Sequence, residues 1–384
     1  MPCDPHVVFA GGGAPGHLSA GIAVAERLSR LMPRCRITFA GPGKTAELHR
    51  VRAAGYHYAA LPASRTPERT LEAVRYVADN LLGFCASRWL LREQGVSGVV
   101  GLGGSTSTAV CRAGLSRGLP VVVLERNALP ERATRLLSAT EATICLAYEE
   151  ARPHLQMRAE SLVTGAPARP SFLKLHEARE DRRAARPADW RGPSRRLLVM
   201  GGVDGARSLN ESVPEALAAM GPAARDWQIV HQTGERQLQE TEKRYRDAGV
   251  DALVVTYIDE VASVCFASDL LIGRPGGTLL SEMALASLPA VLVPYAGGRA
   301  DEHWANARIF EEAGAARVVN ELSAQPLAEL LTREMAPLMT DDRLRSRMAA
   351  SMRSMAQPDA AGEIAAVVLD ALYGRQPEAL LRAA

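Results

Sequence analysis

Short apolar runs rich in valine, isoleucine and leucine alternate along this chain with longer stretches whose apolar residues recur at helical spacing. In the first half the runs fall near 6–10, 36–40, 57–61, 98–102, 120–124, 142–146 and 160–164. In the second they fall near 196–200, 227–232, 251–256, 269–272, 289–293 and 315–319. Between them lie patterns such as Ile22, Ala25, Leu28 and Leu31, which mark an amphipathic helix. Strands that are apolar throughout, and not at every second position, are buried on both faces, and their alternation with helices predicts parallel sheets. Residues 176–196 break the rhythm: arginine, acid and proline crowd there with almost no apolar side chain, which predicts a solvated linker carrying a polar helix. The two halves open alike, with Val-Val-Phe-Ala-Gly-Gly-Gly ending at Gly13 and Leu-Leu-Val-Met-Gly-Gly-Val-Asp-Gly running from Leu197 to Gly205. The fold class expected is α/β, two doubly wound Rossmann-like domains facing across a cleft at the carboxyl ends of their strands, where ligands bind.

Two segments carry the pattern of a phosphate socket. The run Arg-Pro-Gly-Gly-Thr-Leu-Leu-Ser-Glu, from Arg274 to Glu282, follows a short apolar strand and opens a helix. Its glycines let the backbone approach an anion, and the N–H groups and positive dipole end of the helix then face it. Glu282 sits about a turn further on, where a carboxylate can accept from both hydroxyls of a ribose. The second segment, Gly11-Gly12-Gly13-Ala14-Pro15-Gly16-His17, follows the first strand and satisfies Gly-x-Gly-x-x-Gly. A dinucleotide site is disfavoured, because the next strand ends in Gly41-Pro42-Gly43 with no acid at its tip. Gly43-Lys44-Thr45 resembles the end of a P-loop, but Thr38 stands where that motif needs its upstream glycine.

Composition narrows the classes further. A chain of 384 residues with 47% hydrophobic and 23% charged residues is ordinary globular material, long enough for two domains. A net charge of +2 leaves no footprint for nucleic acid. The six cysteines are scattered without a Cys-x-x-Cys pair, as expected in a reducing compartment. No signal peptide and no membrane-length apolar run are read, so the protein is expected on the cytoplasmic side. His6, His49, His57, His154, His176 and His231 share no metal-ligand spacing and read as structural or solvent-facing. Ser105, Ser107 and their threonine neighbours lack a nucleophile elbow; small hydroxyls on the Gly103-Gly104 turn suit either packing or contact with a phosphate.

The order and spacing of these segments is similar to that of the MurG family, glycosyltransferase family 28. The likeness rests on Gly11–Gly21, Gly101-Leu-Gly-Gly104, Leu124-Glu-Arg-Asn127, Val163–Arg169, Gly201–Ala206, Tyr257–Glu260, Arg274–Glu282 and Asp301–Ala307, and so covers most of the chain. The resemblance implies a GT-B fold. Residues 1–165 would form an acceptor and membrane-side domain, 166–357 a UDP-sugar donor domain, and 358–384 a helix returning to the first. It implies inverting transfer of N-acetylglucosamine from UDP-N-acetylglucosamine to an undecaprenyl-diphosphate-linked muramyl-pentapeptide in peptidoglycan synthesis, at the inner face of the cytoplasmic membrane.

Residue by residue, the resemblance places Glu282 on the ribose and the backbone of Gly277, Thr278, Leu279, Leu280 and Ser281 on the diphosphate. Ile258 reads uracil, and Arg169 reaches the donor. Ala14, Pro15, Gly16, Val203 and His303 complete the donor set, with His17 and Asn127 closing from the first domain. Gly103, Gly104 and Ser105 are expected on the acceptor diphosphate. Joining a hydroxyl to a sugar carbon needs a base, for which His17 and Glu125 are rivals, and charge stabilisation for the departing UDP. Helix N-termini can supply the latter, and the chain has no Asp-X-Asp motif, so no metal or cofactor is required, although a divalent ion can stimulate turnover. A helical segment with Leu81, Leu82, Phe84, Trp89 and Leu90 beside Arg88 and Arg92 offers an apolar and basic rim for peripheral contact with an anionic membrane.

The chain departs from the family pattern at several of these positions. Ala14-Pro15 stands for Thr-Gly, Arg126 for glutamine, Ala166 for asparagine, Val203 for serine and His303 for glutamine. Those changes keep two alternatives open: a related GT-B UDP-sugar enzyme with another acceptor or chemistry, such as a UDP-N-acetylglucosamine 2-epimerase, and a weakly active or non-catalytic UDP-sugar-binding relative. A nicotinamide dehydrogenase is the remotest.

Overall fold

The computed structural model describes residues 4–13, 15–62, 72–156, 158–178, 195–295, 297 and 300–374. Ala14 and most of the expected linker lie outside the described residues. The chain divides into two compact units, Met1–Arg169 with Asp359–Ala384, and Pro170–Pro358.

In the first unit the strands are β1 (His6–Ala10), β2 (Arg36–Gly41), β3 (His57–Ala60), β4 (Gly98–Gly101), β5 (Val121–Glu125), β6 (Thr143–Leu146) and β7 (Ser161–Val163). Helices α1 (Pro15–Leu31), α2 (Thr45–Ala53), α3 (Glu72–Glu93), α4 (Gly104–Leu115) and α5 (Arg132–Leu137) connect them. All pairs are parallel, in the order β3-β2-β1-β4-β5-β6-β7. Each apolar run of the first half forms a strand, and the inner strands are buried because both faces of the sheet are covered there, whereas β3 and β7 at its edges are partly exposed. Val7 and Phe9 pack on Leu18, Ile22 and Leu28 of α1, while Val8 and Ala10 share the opposite core with Leu91 of α3 and Val110 of α4. Successive side chains of one strand thus serve two cores, which is why β1 is buried at every position.

The second unit repeats the plan with helices α6 (Pro170–Glu177), α7 (Arg207–Met220), α8 (Pro222–Arg225), α9 (Leu238–Asp247), α10 (Val261–Phe266), α11 (Gly277–Ala286), α12 (Ala300–Glu312), α13 (Leu327–Thr340) and α14 (Asp342–Ser354). Its strands are β8 (Arg195–Met200), β9 (Trp227–Gln232), β10 (Ala252–Val255), β11 (Leu270–Gly273), β12 (Ala290–Leu292) and β13 (Ala316–Val318). They pair in parallel in the order β10-β9-β8-β11-β12-β13. Leu197 and Val199 of β8 pack against Leu209, Val213 and Leu217 of α7 and Leu331, Met335 and Leu338 of α13.

A last helix, α15 (Ala360–Tyr373), belongs to the first unit. Ala361, Ile364, Ala365 and Val368 recur at helical spacing, are buried, and join the core between α1 and the sheet. Gly98 at the start of β4 leaves room for Leu372, since a Cβ there would lie 2.7 Å from Leu372 Cδ2. Ile364→Ala should destabilise the first unit by about 2–4 kcal/mol, the range for truncating a fully buried aliphatic side chain. Denaturant unfolding followed by circular dichroism measures it, and a loss below about 0.5 kcal/mol would place Ile364 outside the cooperative core.

Candidate functional site

Each sheet has one point where the crossovers part in opposite directions, between β1 and β4 in the first unit and between β8 and β11 in the second. There the loops leaving adjacent strands diverge and open a crevice at their carboxyl ends. The glycine segments singled out in the sequence occupy these two points.

In the second unit, β11 ends at Gly273 and Arg274-Pro275-Gly276 leads into α11, whose N-cap, Gly276, has no side chain with which to cap it. Gly277 is buried, while Thr278, Leu279 and Ser281 are half-buried. Leu280 faces inward, and Glu282 is only 1% exposed. The Ser281 hydroxyl donates to Thr278 O at 2.9 Å, within its own helix. The turn is braced from several sides. Asn306 of α12 donates its amide to Pro275 O at 3.0 Å. The Arg274 guanidinium donates to Val293 O at 2.8 Å and Pro294 O at 3.1 Å through Nη1, and to Ser208 Oγ at 2.8 Å and Glu321 Oε2 at 2.9 Å through Nη2. It also lies over the Tyr295 ring, 5.4 Å from its centroid. One largely enclosed cation, its side chain 11% exposed, therefore ties together the segments that follow β8, β11, β12 and β13. Ser208 and Glu321 were not found in the sequence, because neither stands in a motif and the Arg274–Glu321 pair forms only when distant loops meet.

Neighbouring loops complete this half-site. Gly201–Ala206 follows β8, with Gly205 at φ 76, and a Cβ on Gly205 would run into the Thr233 carbonyl, so glycine is demanded on both counts. Val203 in that loop is 43% exposed, an apolar side chain offered to solvent. Ile258, after β10, is buried beside exposed Tyr257. His303 on α12 accepts the Tyr295 N–H through Nδ1 at 3.2 Å, which leaves Nε2 as its N–H donor.

The first unit's half-site is denser in charge. Gly13 N–H donates to Glu47 Oε1 at 2.8 Å, Lys44 Nζ donates to Gly13 O at 3.2 Å, and Tyr58 OH donates to Glu47 Oε2 at 3.0 Å. The Gly-Lys-Thr run that failed as a P-loop is thus the strap of the first glycine loop. Gly16 and His17 lie in the first turn of α1, and His17 is buried at 1% exposure. Its Nδ1–H donates to Gly12 O at 2.9 Å, and its Nε2 lies 3.0 Å from Glu131 Oε1. Gly103, at φ 104, admits this pair: a Cβ there would sit 3.0 Å from both His17 Nε2 and Glu131 Oε2.

Glu125 is buried at the end of β5. Its Oε1 accepts from the N–H and side-chain amide of Asn127 at 2.9 and 3.1 Å, and its Oε2 from Glu131 N–H at 2.8 Å. Burial, reinforced by the nearby Glu131 charge, pushes its carboxyl up to about 7. On α4, Ser107 Oγ lies 3.8 Å from Cys111 Sγ and Thr108 Oγ1 donates to Gly104 O at 3.3 Å. Those two hydroxyls serve the helix, whereas Ser105 is half-buried in its first turn. His17, Gly103, Gly104, Ser105, Glu125 and Asn127 are thereby gathered at one switch point, and Glu131 is the member the sequence did not disclose. Arg169, the last residue of the first unit, is half-buried beyond β7, while the side chain of Pro15 lies outside the described residues.

Residues 7–146 match the glycosyltransferase family 28 N-terminal domain and residues 196–364 its C-terminal domain. The UDP-N-acetylglucosamine--N-acetylmuramyl-(pentapeptide) pyrophosphoryl-undecaprenol N-acetylglucosamine transferase of Phenylobacterium zucineum is 34% identical over 374 residues, covering 96% of this chain and 99% of that protein. The transferase of the same name from Nitratidesulfovibrio vulgaris is 32% identical over 376 residues, covering 96% and 98%. The crystal structure of Acinetobacter baumannii MurG superposes with a TM-score of 0.73 at 24% identity, over 95% of this chain and 99% of that one. Two doubly wound units in one chain are the halves a GT-B fold requires, and with relatives matched end to end, the chain belongs to the MurG family of glycosyltransferase family 28.

Proposed function

We propose that the chain transfers N-acetylglucosamine, with inversion, from UDP-N-acetylglucosamine to an undecaprenyl-diphosphate-linked N-acetylmuramoyl-pentapeptide. The observation that carries this reading is the end-to-end similarity to transferases of that name, at 32–34% identity. The two glycine-lined switch points support it independently, because a transferase must hold a donor and an acceptor.

On the donor side, the N-terminal turn of α11 receives the diphosphate on the backbone of Gly277–Ser281, where aligned N–H groups stabilise charge as UDP departs. Glu282 holds the ribose hydroxyls, Ile258 the uracil, and Arg169 and His303 meet the sugar or phosphates. On the acceptor side, Gly103, Gly104 and Ser105 take the lipid diphosphate, and His17 and Asn127 close on the reacting groups. The hydroxyl of the acceptor gives up its proton as its oxygen bonds to the anomeric carbon, while the bond from that carbon to the UDP oxygen breaks. His17 and Glu125 are the rival bases: both Glu125 oxygens accept N–H bonds from its own loop, and both His17 nitrogens are engaged, by Gly12 O and by Glu131 Oε1.

Glu282→Gln should weaken UDP and UDP-N-acetylglucosamine alike, by about tenfold or more. His17→Ala should spare UDP affinity and lower turnover by about 10²–10⁴. Calorimetry with UDP, alongside product analysis on a short-chain lipid-linked acceptor, separates these effects. Parental UDP affinity in Glu282→Gln, or a parent that binds UDP-sugar yet forms no product, counts against the reading.

Charge neutralisation by a helix terminus carries a second expectation. Chelator should leave UDP binding largely intact, and loss of binding restored by manganese would contradict it. A lipid-linked acceptor also requires peripheral contact with the cytoplasmic face of the membrane. Among the described residues no helix is long and apolar enough to cross a membrane. Leu81, Leu82 and Trp89 on α3 are 61%, 60% and 66% exposed beside Arg88, whereas Leu90 is buried in the core and Phe84 half-buried. Leu82→Ser with Trp89→Ser should weaken sedimentation with anionic vesicles at low salt several-fold. A protein that ignores such vesicles has no membrane face there.

A further inference from the structure

Glu321 closes a ring of three side chains behind the glycine turn of the second unit. A carboxylate only accepts and a guanidinium only donates, so each contact in the ring has one direction. The Ser208 hydroxyl donates to Glu321 Oε2 at 2.6 Å and accepts from Arg274 Nη2 at 2.8 Å, while the same Nη2 donates to the same Oε2 at 2.9 Å. Ser208 stands in the first turn of α7, Arg274 follows β11 and Glu321 follows β13, so the ring joins three segments that are remote in sequence. The side chains of Glu321 and Arg274 are 9% and 11% exposed, which leaves the ring little water to fall back on if one member is removed.

The ring acts on one stretch of backbone. Gly276 N–H donates to Arg274 O at 2.9 Å, a tight turn immediately before α11, and Leu280 N–H donates to Gly276 O at 3.0 Å as the helix begins. Arg274 therefore sets where the N–H groups of Gly277, Thr278 and Leu279 point. Its side chain is fixed from outside that turn, through Nη1 on the carbonyls of Val293 and Pro294 and through Nη2 on the ring. The terminal N–H groups of the guanidinium are thereby matched within the protein, so Arg274 braces the turn and does not reach from it toward a phosphate. The body of α11 is held separately, by buried Leu280, Met283, Ala284 and Leu285. Glu282 belongs to that body and Ile258 to the loop after β10, and neither is a member of the ring.

We propose that Glu321 is a positioning residue for the donor diphosphate: through Arg274 and Ser208 it fixes the turn before α11, so that recognition of the diphosphate depends on it and recognition of the nucleoside does not. Without the carboxylate, Arg274 Nη2 and the Ser208 hydroxyl lose a shared acceptor in a largely enclosed place, and the turn shifts to satisfy them. Uridine carries no phosphate and meets only the ribose and base contacts of Glu282 and Ile258. The proposal rests on the reading of the α11 turn as the diphosphate site.

The test uses the full chain, with UDP and uridine as probes, at temperatures where circular dichroism shows each variant folded. Glu321→Ala should weaken UDP about tenfold and uridine by less than about twofold. Arg274→Lys keeps the charge, but one ammonium cannot reach the carbonyls, the hydroxyl and the carboxylate together, so it should show the same bias. Glu321→Gln, which keeps an acceptor oxygen, should recover most of the UDP affinity. In turnover, Glu321→Ala should raise KM for UDP-N-acetylglucosamine about tenfold and leave KM for the lipid-linked acceptor within about twofold. Arg274→Lys combined with Glu321→Ala should lose no more than the worse single variant, since both open one ring. Parental UDP affinity in Glu321→Ala, or in Arg274→Lys where Glu321→Ala does not fold, overturns the proposal. Equal losses for UDP and uridine overturn it too, as does a double variant whose loss is the product of the single losses. A parent that binds UDP and transfers nothing defeats the proposed activity instead, and the UDP and uridine losses still decide the role of Glu321. A parent with no affinity for UDP overturns both.

Discussion

A parallel strand that feeds a crossover helix delivers the helix N-terminus to the carboxyl edge of its sheet, and that constraint organises everything functional in this chain. The peptide dipoles of the helix add up toward that edge, and its first N–H groups have no partner within the helix. Where two such crossovers part, between β1 and β4 or between β8 and β11, neighbouring termini and their glycine loops face one crevice. On the proposed function, an anionic ligand would be met there by the backbone itself. Side chains then have two tasks, to hold the loops in shape and to supply the protons and hydroxyl contacts that a backbone cannot.

The first task explains the buried charge. Arg274 is only 11% exposed, and taking such a group from water is costly unless its donors are matched. Two carbonyls, a hydroxyl and the Glu321 carboxylate match them, and each belongs to a segment that must not drift. Glu125 and Glu47 do the same work in the first unit, each accepting N–H bonds that would otherwise be unpaired in a tight loop. Removing one partner from such a network leaves a buried polar group unsatisfied, so these positions rigidify the site at high cost to any substitution. His17 and Glu131 pair in the same way, 3.0 Å apart.

Departures from the family pattern read differently once the loops are in place. Val203 stands exposed in a glycine loop whose shape is set by Gly205, so the loop keeps its course while losing a hydroxyl. Arg126, in place of a glutamine, brings a cation within 3.6 Å of Glu131, which makes it part of the charge balance around His17. His303, in place of another glutamine, still accepts a backbone N–H. No structural account emerges for Ala166, which is simply buried.

Local pattern was enough for the architecture, because a strand buried on both faces must be apolar throughout and a surface helix must carry a stripe: the run His6–Ala10 could be nothing else, and Ile364 and Val368 betray the returning helix. Glycine spacing likewise disclosed the Arg274–Glu282 turn and the loop before His17, since close approach of backbone to an anion requires glycine at fixed offsets. Pairings between remote side chains leave no such trace. Glu131 stands 114 residues from His17, Glu321 stands 47 from Arg274, and Glu47 stands 34 from Gly13, each an unremarkable acid in its own segment. Whether a carboxylate caps a helix, braces a loop or pairs with an imidazole depends on which distant group comes within about 3 Å of it, and only the convergence of loops from different strands decides that.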